Sequence, residues 1–268
     1  MNRQIKFAVL LTAVVFMTAS CGTVPLTGRS QLNLLPESSM VEMSLTSYSD
    51  FLKENKLSAN TAQVQQIKRV GAKVSAAVES YLRTNGFQSY IQNFKWEFNL
   101  VQSDVPNAWC MPGGKVVFYT GILPMTQNDA GVAVVMGHEI AHAVARHGNE
   151  RMSQSMMLEM GGTALAEALK QKPEKTQALF STAYGLGTQV GVALPFSRKH
   201  ELEADQMGLI FMAMAGYDPR EAVAFWKRMA AKGGSATPEF LSTHPVDTRR
   251  IAELEKLMPE AMKYYQGQ

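Results

Sequence analysis

Val64, Ile67, Val70, Val74, Val78 and Leu82 recur at intervals of three and four residues, the spacing that lines one face of an α-helix with apolar groups. Asn60 precedes this run as an N-cap and Gly86 follows it as a stop, so a helix is predicted between them. Pro36-Glu37 opens an earlier helix that runs to about residue 55. Lys95-Trp96-Glu97-Phe98-Asn99-Leu100 alternates polar and apolar like a half-buried strand, and Lys115-Val116-Val117-Phe118-Tyr119 reads as a second strand after a Pro112-Gly113-Gly114 turn. Asn128 or Asp129 begins a helix that ends near Arg146, His147 and Gly148, where basic side chains suit the helix dipole. Further helices are predicted over 151–170, from 174 to about 193, over 197–215 with Gly216 as the stop, over 219–231, and from 246 onward. The small-residue stretch 178–196 contains Thr182, Thr188, Gln189 and three glycines, which describes a close-packed helix rather than a membrane span.

Composition narrows the class. The chain has 268 residues and a formal net charge of +3, with no run of five like charges and no basic stripe interleaved with aromatics, so nucleic acid is not an expected partner. Arg3 and Lys6 precede an apolar run over 7–19, shorter than the roughly 20 residues a spanning helix needs, so residues 1–20 are read as a cleaved export signal. Thr18-Ala19-Ser20-Cys21 followed by Gly22 resembles a bacterial lipobox, with Thr18 where leucine is usual. That resemblance implies lipidation of Cys21, and Gly22 in place of an aspartate implies sorting to the outer membrane. Each buried CH₂ of an acyl chain contributes about 0.8 kcal/mol to anchoring. The competing reading is a secreted protein with a soluble N-terminus. Residues 21–36, with Pro25, Gly28, Asn33 and Pro36, are read as a tether from the lipidated cysteine, and 37–268 as one domain. Cys110 is the only other cysteine, so no internal disulfide is expected once Cys21 is modified.

The chemistry concentrates at His138-Glu139-Ile140-Ala141-His142, inside the helix that starts at 128 or 129. Residues four apart lie on one helix face, about 6 Å apart at Cβ, so both imidazoles can reach one ion at about 2 Å. Glu139 is rotated by about 100° from His138, which lets it flank the ion as a general base. The plain alternative is a set of polar residues on a helix surface. Val132, Ala133, Val134, Val135 and Met136 before the motif, and Ala143 and Val144 after it, make the helix apolar nearly all round, and buried polar groups there are costly unless compensated. The strongest candidate for a third ligand lies in Glu201-Leu202-Glu203-Ala204-Asp205. Glu201 and Asp205 share a face, whereas Glu203 is turned by about 200° and suits a solvated surface. If Asp205 orients a ligating histidine through its second ring nitrogen, Glu201 must face the metal.

Taken with Ser197-Arg198-Lys199-His200 before Glu201, and with His244-Pro245 followed by Arg250-Ile251, these motifs resemble the HtpX-like and CAAX-prenyl-protease family of gluzincin zinc metallopeptidases, over about residues 37–262. The chain is most similar to the periplasmic, lipoprotein-type members. The resemblance implies an α+β, mostly helical zincin-type (gluzincin) domain with a small β-sheet beside the active-site helix. It implies one Zn²⁺ per chain held by His138, His142 and Glu201, with Glu139 as general base on the zinc-bound water and Asp205 behind a ligand. Asn107-Ala108-Trp109 and Pro112-Gly113-Gly114 resemble the family's strand beside the cleft, which makes Asn107, Ala108, Gly113 and Gly114 candidate substrate-binding residues. His244 matches a histidine near the zinc, either stabilising the oxyanion or capping the metal in a resting state; without the resemblance it reads as a loop histidine. Arg250 either polarises the tetrahedral intermediate or braces the turn. The membrane-embedded branches carry spanning helices that this sequence does not show, which argues against prenyl-protein processing within a bilayer.

The expected activity is a metalloendopeptidase acting on unfolded or misassembled cell-envelope proteins from the periplasmic face of the outer membrane. Its expected partners are protein or peptide substrates, the membrane through Cys21, and envelope assembly or protease complexes. A zinc-containing lipoprotein that holds clients without cutting them is the competing class, and Glu139 argues against it because a structural zinc needs no base. His147 lies about 140° round the helix from His142 and is read as a helix-end cation; His200 is read as surface or as lying behind the site. Met152, Met156, Met157 and Met160 are expected to fill core, with a mobile cover over the cleft as the alternative. Cys110, without a base partner, is read as a small apolar filler.

Overall fold

The computed structural model describes residues 21–160, 173–184, 197–232, 239–244 and 248–267. The expected export signal and the continuations of two predicted helices, over 161–170 and 185–193, lie outside the described residues. The architecture is α+β and mostly helical, with a three-stranded sheet and a short hairpin.

The chain begins with β1 (Cys21–Thr23) and β2 (Ser30–Leu32), which pair antiparallel with Cys21 opposite Leu32. Residues 21–36, expected to be a tether, are therefore folded in part, and they are fastened to the domain. Val24 is fully buried in the main core, the Leu34 amide donates to Ser153 Oγ at 2.9 Å, and Asn149 Nδ2 donates to the Leu35 carbonyl at 2.9 Å. The sequence pattern is silent on this because Ser153 and Asn149 lie more than a hundred residues from the backbone groups they hold.

Two amphipathic helices follow, α1 (Glu37–Glu54) and α2 (Thr61–Thr84). The Asn60 side chain accepts from the Gln63 amide as the N-cap, and the predicted stripe of α2 is buried from Ile67 to Leu82. Then come β3 (Glu97–Val101), β4 (Ala108–Met111) and β5 (Lys115–Tyr119), in the sheet order β3-β5-β4. β3 runs parallel to β5, and β4 runs antiparallel to it with Ala108 opposite Phe118. Gly113 and Gly114 join β4 to β5 with φ of 83° and 79°, a left-handed backbone that favours glycine.

A short α3 (Leu123–Thr126) leads to α4 (Asp129–Val144), N-capped by the Asn128 side chain and buried continuously from Gly131 to Val144. Arg146, at φ 56°, breaks the chain direction, and α5 (His147–Met160) starts at once. The remaining elements are α6 (Pro173–Ala183), α7 (Arg198–Met214), α8 (Glu221–Lys232), α9 (Glu239–Thr243) and α10 (Thr248–Ala261). α4 and α7 pack through glycines: a Cβ on Gly137 would stand 2.7 Å from the Gly208 carbonyl oxygen, and one on Gly208 would stand 2.9 Å from the His138 amide nitrogen. That close approach brings a carboxylate of α7 within reach of imidazoles on α4.

The main core joins α2, α4, α7 and α8 to the sheet. A second cluster packs Leu35, Met40, Tyr48, Trp109, Met152, Met156 and Phe180 together, so Met152 and Met156 are core as expected, while the side chains of Met157 and Met160 lie outside what is described. Among the described residues no helix is long and apolar enough to cross a membrane.

Candidate metal centre

Each side chain of the site is placed by a local feature of the chain. His138, Glu139 and His142 sit on the buried α4. The Ser197 side chain accepts from the His200 amide as the N-cap of α7, which puts Glu201 in that helix's first turn, where the helix dipole favours a carboxylate. His244 follows the five-residue α9, its amide donating to the Phe240 carbonyl at 2.9 Å. All five side chains are at most 4% exposed.

Their donor atoms converge on one point. His138 Nε2 lies 3.1 Å from His142 Nε2 and 3.2 Å from His244 Nδ1. Glu201 Oε1 lies 3.0 Å from His244 Nδ1 and 3.3 Å from His142 Nε2, and Glu201 Oε2 lies 3.5 Å from His138 Nε2. One ligand atom from each of the four residues fits within a cluster no wider than 4.8 Å. Bonds of 2.0–2.1 Å to the corners of a tetrahedron put donors about 3.3 Å apart, so the measured spacings of 3.0–3.5 Å fit a zinc ion. Three imidazoles and a carboxylate are also the donor types zinc prefers.

The groups behind the ligands are equally ordered. Asp205 Oδ1 stands 3.0 Å from His138 Nδ1, so it accepts that N–H and turns Nε2 toward the cluster, the role expected for it. Arg250 grips Asp205 through Nε at 2.6 Å and Nη2 at 2.8 Å, and reaches Glu201 Oε2 with Nη1 at 2.8 Å. Its guanidinium lies flat over Trp226 at 3.8 Å. Arg250 thus contacts Glu201 and Asp205 and is not among the residues that line the cleft.

Burial disfavours a charge on His138, yet Asp205 and Glu201 hold its pKa up at about 9. Burial drives His142 well below its ordinary value against the pull of Glu201. Glu201 and Asp205 resist the same desolvation because of their neighbours, His244 and Arg250 for the first and Arg250 above all for the second, and both are held low. Glu139 is different. Burial lifts its pKa above the ordinary carboxylate value, and its Oε1 is buried without a hydrogen-bond partner, 3.5 Å from His244 Nε2.

Glu139 and His142 form one wall of a cleft whose other walls are Asn107, Ala108, Trp109 and Cys110 along β4, Arg151 and Tyr184 beyond, and Thr243 and His244 above. β4 ends the sheet on this side among the described residues, so its outer edge faces the cleft. Of the four candidate substrate-binding residues, Asn107 and Ala108 line this cleft. Gly113 and Gly114 do not: a Cβ on either would meet Val41 or Trp96, at the turn on the far end of β4. Cys110 is buried, and burial with the charge of Glu139 raises its thiol pKa well above normal, as an inert filler requires.

Two expectations need correction, and a third is decided between its alternatives. His147 is not a cation at a helix end. It opens α5, is fully buried, and is pushed down to about 4 by that burial, with Glu203 pulling the other way. Its Nδ1 lies 2.9 Å from His142 Nδ1 and its Nε2 lies 3.0 Å from Glu203 Oε2. Glu203 is not solvated; it is 6% exposed and also accepts from Arg29 Nε at 2.7 Å and from the Thr27 hydroxyl. Of the two readings of His200, the structure agrees with the one behind the site: it is buried and stacks on His147 at 4.4 Å, with Nε2 3.1 Å from Glu150 Oε2. Arg29 and Glu150 were not singled out in the sequence at all. The signal available was α7 itself: beyond Glu203 it reads Met207, Leu209, Ile210, Phe211 and Met212, which leaves little room for a solvated face.

A family model for peptidase family M48 matches residues 63–258. The chain is 38% identical over 175 residues to the mitochondrial metalloendopeptidase OMA1 of Schizosaccharomyces pombe, covering 65% of this chain and 50% of that one. It is 30% identical over 259 residues to the human mitochondrial metalloendopeptidase OMA1, covering 94% of this chain and 49% of that one. It is 29% identical over 163 residues to the beta-barrel assembly-enhancing protease of Escherichia coli, covering 59% and 33%. The chain spans about half or less of the length of these relatives.

Proposed function

The chain belongs to peptidase family M48, and from that premise we propose that it is a zinc metalloendopeptidase, with one Zn²⁺ per chain held by His138, His142 and Glu201. The observation that carries this reading is the tetrahedral spacing of buried donors directly beside a carboxylate oxygen that has no partner of its own. Zinc, when bound, supplies Lewis acidity toward a carbonyl and toward water.

The chain's own residues supply the rest. An extended substrate pairs its backbone with the outer edge of β4 beside Asn107 and Ala108, which positions a peptide carbonyl in front of Glu139. Glu139 Oε1 takes a proton from the attacking water and returns it to the leaving amine. A carboxylate whose pKa burial has raised above its ordinary value is suited to both transfers. Asp205 and Arg250 keep His138 in one tautomer and one orientation throughout. His244 Nδ1 occupies the fourth corner of the cluster, and a catalytic zinc site keeps that corner open. We read it as the cap of a resting state that must swing aside for substrate.

Backbone pairing reads side chains loosely, so the substrates proposed are unfolded or misassembled proteins of the bacterial envelope, with Cys21 as lipid anchor on the periplasmic face of the outer membrane. The lipobox-like segment supports that location, and the Escherichia coli relative is named for β-barrel assembly. Placement in the periplasmic lipoprotein branch, the division into signal, tether and domain, and participation in envelope complexes belong to the same proposal.

The test compares wild type, Glu139→Gln and His244→Ala on an unfolded protein such as casein. Glu139→Gln should keep metal and fold and lose cleavage by about 100-fold or more, while His244→Ala should cut faster than wild type. Equal degradation by wild type and Glu139→Gln refutes the mechanism. If neither cuts and both suppress aggregation of a client, the protein is a holdase.

A further inference from the structure

The N-terminal hairpin is tied to the metal centre by a continuous chain of buried polar contacts. His142 turns Nε2 toward the donor cluster, so Nδ1 carries its proton. That N–H points at His147 Nδ1, 2.9 Å away, which must therefore accept, leaving His147 Nε2–H to donate to Glu203 Oε2 at 3.0 Å. Glu203 is held in turn by the hairpin, through Thr27 Oγ1 and through Arg29 Nε at 2.7 Å. The other two nitrogens of Arg29 clamp Glu150 at 2.9 and 2.7 Å, and Glu150 accepts from His200, whose ring lies flat on His147 at 4.4 Å. The two ligand histidines are thus oriented by different means: His138 by a carboxylate of the helix opposite, His142 by a relay that ends on residues 27 and 29.

We propose that Arg29, Glu203 and His147 are positioning residues for the metal, and that the hairpin over residues 21–32 sets metal affinity by fixing the tautomer and rotation of His142. The inference rests on the metal-centre reading given above. Its physical basis is that Arg29 is the cation shared by two carboxylates at the edge of a buried imidazole stack. Lifting the hairpin takes the shared guanidinium away from Glu203 and Glu150, and Glu203 then follows water rather than His147. Outer partners of this kind typically contribute 10–100-fold to metal affinity. Because the hairpin begins at Cys21, the residue proposed to carry the anchor, attachment and metal retention would share one element.

The test uses the full chain in detergent, zinc itself as probe in competition with a chromophoric chelator, and the visible spectrum of the cobalt-substituted protein. Arg29→Ala and Glu203→Gln should each bind zinc about 10–100-fold more weakly than wild type. Their cobalt bands should shift, reporting a changed His142 within folded molecules. Combining Arg29→Ala with His147→Phe should add little, since both break one relay. Where Arg29→Ala does not fold, Thr27→Val removes the hydroxyl that bonds Glu203 and accepts from the Arg29 amide, but no charge, and should still weaken zinc several-fold. Wild-type affinity and an unshifted cobalt spectrum in these variants would overturn the inference while leaving the metal centre standing, and so would strictly additive losses in the double variant. Absence of zinc binding by wild type itself overturns the metal-centre reading instead.

Discussion

Replacing Arg250 with methionine is the most searching perturbation of the site, because one buried guanidinium neutralises two buried carboxylates. Arg250 is 3% exposed, makes a two-pronged contact with Asp205 and a third ion pair with Glu201, and covers the face of Trp226. Methionine keeps much of the contact with the indole and removes the charge. Breaking one side of a buried ion pair typically costs about 3–5 kcal/mol, mostly as the penalty of the charge left behind. Against a usual domain stability of about 5–15 kcal/mol, the metal-free variant should lose from about a fifth to all of its margin. Zinc should restore part of that loss, since a dication compensates Glu201 directly, while Asp205, one shell further out, stays under-compensated. The deficit should also shrink as pH falls: without Arg250 the Asp205 carboxyl protonates more readily, and neutral Asp205 no longer needs a cation. Urea unfolding followed by tryptophan fluorescence, in chelator and in excess zinc, at pH 8 and pH 5, measures all three effects. A metal-free loss below about 1 kcal/mol, or a loss that grows toward pH 5, would show that Arg250 is not the compensating charge.

Two further outcomes follow from the same geometry. His147 is held at about 4 against an ordinary 6.5, so the unfolded chain takes up its proton first and stability falls as pH drops through that window; Glu150 and Glu203, held at about 2 against 4.5, extend the fall below it. Comparing urea midpoints of metal-free wild type and His147→Gln isolates the first contribution, and parallel profiles between pH 6.5 and 4 would contradict it. Gly137→Ala places a methyl 2.7 Å from the Gly208 carbonyl oxygen and must spread α4 from α7. Overpacking of that kind costs about 1–3 kcal/mol, and zinc affinity should fall alongside because Glu201 retreats from the imidazoles; a variant with wild-type melting temperature and wild-type zinc binding counts against this packing.

Some of this molecule was legible along the chain because the physics involved is local. A stripe from Val64 to Leu82 makes α2, Asn60 and Ser197 cap helices with their own side chains, and His138 and His142 share a face by helical periodicity alone. Even the choice of Glu201 over Glu203 follows from rotation about one helix, once Asp205 is assigned to a histidine. What the tertiary structure decided depends on contacts across distance. The meeting of Gly137 with Gly208 determines whether Glu201 arrives at the histidines, and it joins residues more than seventy positions apart. The fate of Glu203, His147 and His200 was decided by a hairpin at the other end of the chain, because a polar residue's preference for water or burial turns on whether a distant partner arrives to satisfy it. Periodicity reports which side of a helix faces inward; only the assembled fold determines which charges wait there.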